Sequence, residues 1–524
     1  MSLDYRRSQA ADTGAEEVVR ITHDRAELAD GWAEPAQSPL CVDLDGTLVK
    51  SDTLVDTIVV LARQSPVSLL QSPMWLMRGK AAFKRSVSSV AAIDVVHLPY
   101  NQELLEYLRQ QHAAGREIYL ATGADMLLAE RVAAHLGIFT GVLASDGSVN
   151  LTGREKLMAF QKRFPEGFCY IGNARADVPL LASCVEPMVA NPHRGLLAGL
   201  RSARVQPVRT FRDGSSPAKA WLRAVRLHQW AKNTLIFLPL LLAHLRAAGP
   251  AVAACLAFLS FSLAASATYM VNDLMDLEYD RHHPRKRRRP FASGDLSPIA
   301  GVATIFIFLA LSLTIALLLP GVLARLSPEL ALGRPWRFLE WLGIYVVSTS
   351  AYSLRLKRTV LVDVIVLSGL YTVRIIAGSA ATGVPVSQWL AAFSIFFFLS
   401  LAFVKRFAEL ESLRMRSEAL GPIAVKGRGY RISDLEQLRS FGTASGYASV
   451  VVFALYIGNE VAQGLYPHYR RLWLLVPVLL LWLSRLWLQA SRGELHEDPV
   501  VYAITDKRSL LLGLLLLAIV LSAL

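Results

Sequence analysis

Asn272, Asp273, Asp276 and Asp280 stand at offsets 0, 1, 4 and 8, directly after a long apolar run. On a continuing helix Asn272, Asp276 and Asp280 share one face and Asp273 borders it. Carboxylates at that spacing repel one another by at least a few tenths of a kcal/mol per close pair, and a bound divalent cation removes the repulsion. Hard oxygen ligands in this number suit Mg2+, which keeps several waters and bridges to substrate phosphates. The chemistry indicated is the holding of a phosphorylated or diphosphorylated donor whose diphosphate leaves under metal stabilisation. Six cations follow at once, Arg281 and then Arg285, Lys286, Arg287, Arg288 and Arg289. They could meet phosphates, or they could be solvated loop charges that fix membrane topology.

The elements that must position these residues divide the chain in two. Its 524 residues are 53% hydrophobic and 19% charged, with a mean hydropathy of +0.37, too apolar for a soluble protein of this size. From Met1 to about Lys219 the composition is mixed, whereas Leu227 to Leu524 breaks into long apolar runs. These runs predict nine spans, near 228–245, 251–271, 299–320, 338–353, 360–382, 388–404, 441–459, 471–490 and 509–524, most near the roughly 20 residues that a bilayer core requires. The N-terminal stretch has no apolar signal-peptide core, so the first part is expected in the cytoplasm. The loops on that side then carry 20 Lys and Arg, Lys426 and Arg428 among them, against 6 on the other side, Arg246 among those. The positive-inside rule gives the same orientation, a multi-pass protein of the cytoplasmic (inner) membrane. Cys41, Cys169, Cys184 and Cys255 have no paired or metal-like spacing, which fits a reducing compartment.

The stretch NDLMDLEYD has the form N-D-x-x-D-x-x-x-D and resembles the first aspartate-rich motif of the UbiA superfamily of intramembrane prenyltransferases, which carry nine transmembrane helices around a central cavity. The resemblance covers about residues 220 to 524. RAVRLHQWAKNTLIFLPLL, NDLMDLEYDRHHPRKRRRPFASG, AYSLRLKRTVLVDV and VKRFAEL, in that order, are similar to the decaprenyl-phosphate phosphoribosyltransferase-like branch. That branch transfers phosphoribose from phosphoribosyl diphosphate to a polyprenyl phosphate. The resemblance implies that Asn272, Asp273, Asp276 and Asp280 bind Mg2+ and through it the donor diphosphate. Lys357 and Tyr352 would contact its phosphates, and Lys232 and Asn233 would face the same cavity. Arg374 and Lys405 lie inside or at the end of apolar runs, where an unpaired cation is costly, so both are candidates for substrate binding. Arg374 has the alternative of a snorkelling anchor, and Asp363 is either its partner or a second metal ligand. Aromatic prenyltransferases of the superfamily carry a second aspartate cluster after span six, where this chain has Lys405, Arg406, Glu409 and Glu411. Two anionic substrates need more cations than an aromatic acceptor does, so the difference favours the phosphate chemistry. The alternative is an aromatic (4-hydroxybenzoate-type) polyprenyltransferase with a tethered phosphatase or regulatory domain.

In SPLCVDLDGTLV the apolar strand Leu40 to Leu44 runs into Asp43, Asp45, Gly46 and Thr47. D-x-D-G-T at a strand end resembles the first motif of the haloacid dehalogenase (HAD) superfamily. Later motifs follow in order at Thr122, Lys156, Asn173 and Asp177. The implied fold is an α/β Rossmann-like domain with a small helical cap, here Ser51 to about Pro99, followed by an all-α membrane domain. By the same resemblance Asp43 is a nucleophile, Asp45 its general acid and base, Thr122 a phosphoryl binder and Lys156 a charge neutraliser. Mg2+ would sit between Asp43 and Asp177 with Asn173 beside it; the family usually has aspartate where Asn173 stands, and a neutral ligand weakens Mg2+ binding.

The organisation expected is an extension over 1–35, a HAD-like domain over 36–205, a basic linker over 206–226 and the membrane transferase over 227–524. Partners follow from it: a polyprenyl phosphate, phosphoribosyl diphosphate or a similar anionic donor, and the membrane. The net charge of +13 sits mainly on the inner loops and linker, which reads as lipid and phosphate binding and not nucleic-acid binding. Nothing in the sequence defines an oligomeric state.

Overall fold

The structure, a computed structural model, describes residues 38–146, 150–245, 247–330, 334–420, 429–495 and 499–524. The expected extension over 1–35 and the loop cations Arg246, Lys426 and Arg428 lie outside the described residues. Two compact units are formed, one from Met1–Ala224 with Met270–Ala303, the other from Val225–Tyr269 with Thr304–Leu524. The aspartate motif therefore belongs to the first unit.

The first unit is built on six parallel strands, β1 (Leu40–Val42), β2 (Ile118–Asp125), β3 (Gly141–Ser145), β4 (Cys169–Gly172), β5 (Pro187–Ala190) and β6 (Arg209–Phe211). Their order is β3-β2-β1-β4-β5-β6. Short, almost wholly apolar strands such as LCV and CYIG are buried along their whole length, as strands covered on both faces must be. One core face gathers Leu40, Val42, Leu120 and Ile171; the other gathers Cys41, Tyr119, Phe160 and Tyr170. The strand order reverses at β1, and in open sheets of this kind ligands bind beyond the carboxyl ends of the strands at such a switch point. The segment after β1 is helical, with helices Thr53–Gln64, Pro66–Leu69, Ser72–Met77 and Lys80–Val90. Asp52 caps the first of these by accepting from the Val55 amide, which satisfies one of the orphan donors of the helix start.

In the second unit the predicted count of nine spans is corrected. Among the described residues six helices are long and apolar enough to cross a membrane: Ala248–Met275, Pro298–Leu326, Val362–Thr382, Gln388–Met415, Ile432–Ile457 and Tyr469–Ser491. The three other predicted spans fold as shorter pieces, for identifiable reasons. Residues Leu227–Phe237 coil as a 3-10 stretch, and only Leu238–Leu242 is α-helical after it. Arg337–Leu354 has 18 residues but opens on Arg337 and carries Glu340 in its first turn. Lys507–Ala523 has 17 residues, which at about 1.5 Å per residue falls short of a hydrocarbon core of about 30 Å. The long helices have an outer surface made for lipid: Phe306 and Leu318 in Pro298–Leu326 are 69% and 62% exposed, a display that water tolerates poorly.

Candidate functional site

The sheet brings the first set of chemical residues together. Val42 lies in register with Leu120 of β2 and Ile171 of β4, so Asp43 and Asn173, just past the ends of β1 and β4, and Thr122, inside β2, lie toward the same end of three adjacent strands. Lys156, on the helix Arg154–Arg163, is 3% exposed and donates from Nζ to Asp43 Oδ1 at 2.8 Å and to the Tyr170 hydroxyl at 2.9 Å. The Tyr170 hydroxyl donates in turn to Asp177 Oδ1 at 3.0 Å. The other oxygen of Asp177 accepts from the Asn173 and Ala174 amides at 3.1 and 2.9 Å. Asp43, Lys156, Tyr170 and Asp177 thus form one continuous buried chain, closed by the turn after β4. Thr122 is fully buried, and its Oγ1 accepts from the Ala124 amide at 3.0 Å. Asp45 accepts from the Thr53 amide at 2.8 Å.

The electrostatics separate the two aspartates of the first motif. Burial pushes Asp43 up to about 6, with Lys156 pulling against it and Asp177 adding to it. Burial, followed by the neighbouring Asp52 charge, pushes Asp45 up to about 7 against the pull of Thr53. A carboxylate held on a lysine beside a carboxyl that keeps its proton near neutrality is suited to a nucleophile with a general acid. The donor set also fits a hard divalent cation: Asp43 and Asp177 are close enough for one charge to raise the other, and oxygen ligands meet that demand.

Gly46 is fixed by this geometry. Its φ is +73°, and a Cβ placed there would lie 1.9 Å from Asn173 Nδ2. Gly46→Ala should therefore displace Asn173 while the sheet stays intact. A shift of about 1 Å at a reacting centre can cost about 100-fold in rate, so the phosphate-monoester hydrolysis that the motif resemblance implies should fall by that order with circular dichroism unchanged. Undiminished hydrolysis would show that Asn173 takes no part.

Sequence reasoning missed Lys84, on the cap helix Lys80–Val90. Its Nζ donates to the Gly123 carbonyl at 2.5 Å and to Asn150 Oδ1 at 2.8 Å. Burial lowers its pKa, while Asp45, Asp52 and Asp43 oppose that fall, so the cap delivers a cation to the same group of carboxylates. Tyr170 was missed as well, since a tyrosine in a core strand gives no motif signal.

The aspartate motif keeps its helical bonding, Asp276 N–H to Asn272 O and Asp280 N–H to Asp276 O, although the long helix ends at Met275 and a short one, Leu277–His282, begins. Asp273 and Asp280 are each 2% exposed. One guanidinium joins them: Arg289 Nη1 reaches Asp273 Oδ1 at 2.9 Å and Asp280 Oδ2 at 2.7 Å. Burial pushes Asp280 up while Arg289 pulls it down. Asp276 lies 3.6 Å from Arg63, which donates to the Met275 carbonyl at 2.9 Å and covers the Tyr279 ring at 3.9 Å. Arg281 is buried against Asp56 Oδ2 at 2.7 Å and Ser51 Oγ at 3.2 Å. Of the six cations, then, Arg281 and Arg289 hold defined carboxylates. The oxygen donors of this motif fit Mg2+, since the buried pair already recruits a cation.

In the second unit Asn233 and Arg374 meet. Arg374 Nε donates to Asn233 Oδ1 at 2.8 Å and Nη2 to the Tyr345 hydroxyl at 3.2 Å, Nη1 bonds the Leu370 carbonyl, and Asn233 donates on to Ser262 at 3.0 Å. Lys232 Nζ lies 5.9 Å above the Tyr371 ring. Asp363 is not the partner of Arg374: it pairs with Arg406 at 2.5 Å and accepts from the Tyr430 hydroxyl at 2.5 Å. Arg406 also donates to Glu409 at 2.6 Å and to the Tyr352 hydroxyl at 2.8 Å. It is 1% exposed, whereas its neighbour Lys405 is half-buried. Lys357 sits on the 3-10 turn Leu356–Arg358. An apolar cavity of about 430 Å3 is lined by Pro239, Trp389, Phe393, Phe453 and Tyr466, among others.

Apolar helices long enough to cross a membrane, one of them running into an aspartate-rich N-D-x-x-D-x-x-x-D segment, mark a class of intramembrane transferases, and the chain belongs to the UbiA prenyltransferase family, whose profile matches residues 234–505. It is 39% identical over 483 residues to an uncharacterized protein of Sinorhizobium fredii, across 91% of this chain and 89% of that one. The nodulation protein NoeC of Azorhizobium caulinodans is 37% identical over 303 residues, which are 57% of this chain and 92% of the relative. The decaprenyl-phosphate phosphoribosyltransferase of Mycobacterium tuberculosis is 36% identical over 198 residues, 36% of this chain and 59% of that enzyme.

Proposed function

We propose that the chain is a bifunctional membrane enzyme: it transfers phosphoribose from phosphoribosyl diphosphate to a polyprenyl phosphate, and its N-terminal unit then removes the 5-phosphate of the attached sugar. The observation that carries the transferase reading is the buried carboxylate pair Asp273 and Asp280, held by a single guanidinium at the end of an apolar helix. The similarity to decaprenyl-phosphate phosphoribosyltransferase supports the choice of substrates.

In the transfer, an ionised oxygen of the lipid phosphate attacks the anomeric carbon, the bond from that carbon to the diphosphate breaks, and the diphosphate leaves with the electron pair. Mg2+ on Asn272, Asp273, Asp276 and Asp280 would supply charge stabilisation for the leaving group. By the family resemblance Lys232, Lys357 and Lys405 would meet the phosphates, with Tyr352 as a hydrogen-bond partner, and Asn233 and Arg374, bonded to each other in the second unit, would bind substrate as well. An acceptor that is already an anion needs no base, so positioned cations and dry walls suffice. The apolar cavity has the lining that an isoprenoid chain requires. In the hydrolysis Asp43 takes the phosphoryl group as an aspartyl phosphate, Asp45 protonates the departing sugar oxygen and later takes a proton from water, and Thr122 and Lys156 hold the phosphoryl oxygens. Both reactions are assigned to the cytoplasmic face, where the loops with 20 Lys and Arg would lie.

The test is lipid extraction after incubating the purified protein with Mg2+, polyprenyl phosphate and radiolabelled phosphoribosyl diphosphate. Label should enter the lipid phase and be lost by at least about 100-fold in Asp276→Ala. Absence of transfer by folded wild-type protein overturns the phosphoribosyl reading and favours isoprenyl transfer to an aromatic acceptor.

A further inference from the structure

A cluster outside both sites lies in the first unit, where Asp94, His97 and His282 converge. His97 Nδ1 and His282 Nε2 each stand 2.7 Å from the same oxygen, Asp94 Oδ2. The other oxygen, Asp94 Oδ1, accepts from the Val96 amide at 2.9 Å, which fixes the carboxylate and aims Oδ2 at the two rings. The three ligand atoms all lie within 4.8 Å of one another.

The hydrogen bonds of His282 point to a cation at this place. Its Nδ1 is 2.7 Å from the Glu278 carbonyl oxygen, an atom that can only accept, so Nδ1 carries a proton. Nε2 is then the atom directed at the carboxylate; in the imidazolium this contact is an ion pair, and a metal cation would take the place of the Nε2 proton. This tautomer, with Nδ1–H on a backbone carbonyl and Nε2 directed at the site, is the one that metal-ligating histidines adopt. The two imidazoles also lie with their centroids 4.1 Å apart and their planes 30° apart, so both rings bring a nitrogen to the same carboxylate oxygen.

We propose that Asp94, His97 and His282 form a binding site for a borderline transition-metal cation of the Zn2+ class, tying the loop after the helix Lys80–Val90 to the short helix Leu277–His282. Two imidazoles and one carboxylate suit Zn2+ and exclude Mg2+, which prefers oxygen ligands alone. Three protein ligands leave a fourth position to water. His97 and His282 are exposed, so the ion exchanges with solvent and a chelator removes it. The site is chemically separate from both oxygen-rich Mg2+ candidates.

The experiment uses the full-length protein in detergent, stripped with chelator and kept in excess Mg2+ to occupy the oxygen sites. Zn2+ is added and its stoichiometry, affinity and X-ray absorption fine structure are measured. One tightly held Zn2+ per chain with two imidazole nitrogens at about 2.0 Å is expected. His97→Ala and His282→Ala should each weaken that ion at least about tenfold. Asp94→Asn, which keeps an acceptor for the Val96 amide, should do the same without loss of fold, judged by near-ultraviolet circular dichroism. A wild-type protein that holds no Zn2+ above the Mg2+ background, or binding that survives unchanged in all three variants, overturns the site.

Discussion

Asp43→Asn in the full-length protein should abolish release of inorganic phosphate, by at least about 1000-fold, while label transfer into lipid continues and the phosphorylated lipid accumulates. The substitution preserves shape and leaves an amide oxygen for the Lys156 ammonium that Asp43 now receives at 2.8 Å. It removes the negative charge that burial already resists, so the fold should tolerate it, and what disappears is the nucleophile. The pH dependence follows from its neighbour. Asp45 is pushed up to about 7; as general acid it must be protonated, so activity should decline as pH rises through about 7. Asp45→Asn should remove that limb together with most of the rate, about 100-fold or more. Phosphate release measured by colorimetry and lipid products resolved by thin-layer chromatography check both statements. Phosphate release by Asp43→Asn at the wild-type rate would remove the aspartyl-phosphate route altogether.

The second large effect is expected in the membrane unit. Asp363→Ala strips the fully buried Arg406 of its carboxylate partner, and breaking a buried pair from one side costs about 3–5 kcal/mol. Thermal unfolding in detergent should show a clearly lowered midpoint. The double variant Asp363→Leu with Arg406→Met should recover much of that loss, because replacing both partners with apolar residues of similar volume leaves no stranded charge. If the double variant is as unstable as the single one, the pair is held by more than mutual charge, and the hydroxyls of Tyr352 and Tyr430 that flank it become the next targets. Transfer activity of the recovered double variant separates folding from chemistry, since Arg406 is bonded to Tyr352.

Much of this architecture was legible in the sequence because its signals are local. Asp43 and Asn173 could be placed at strand ends because apolar runs stop beside them; Thr122, expected at a strand end, lies inside β2, which runs on to Asp125, and the sheet then had to bring the three together. The aspartate motif was visible through its spacing alone. Span count was less legible: hydropathy registers apolar content but not the 3-10 coiling of Leu227–Phe237 or the two short helices that follow later. Long-range pairing was not legible at all. Asp363 stands 11 residues from Arg374 in sequence and looked like its partner, yet Arg406, 43 residues away, takes it. Lys84, Arg63 and Arg281 find their partners only in three dimensions, and a basic helix or a basic loop gives no hint of which cation will be buried.

The assignment of Met270–Ala303 to the same compact unit as the N-terminal part bears on how such a gene could be divided. A fragment starting at the linker would carry Arg281 without Asp56 and Asp276 without Arg63, leaving a charged, unsupported segment in place of the aspartate motif. A stand-alone form of the membrane part would therefore have to compensate the Arg281 guanidinium, which loses Asp56, while keeping Asp276 for the proposed metal, so fission of the gene between its two units requires a substitution at residue 281 and not only a new start codon.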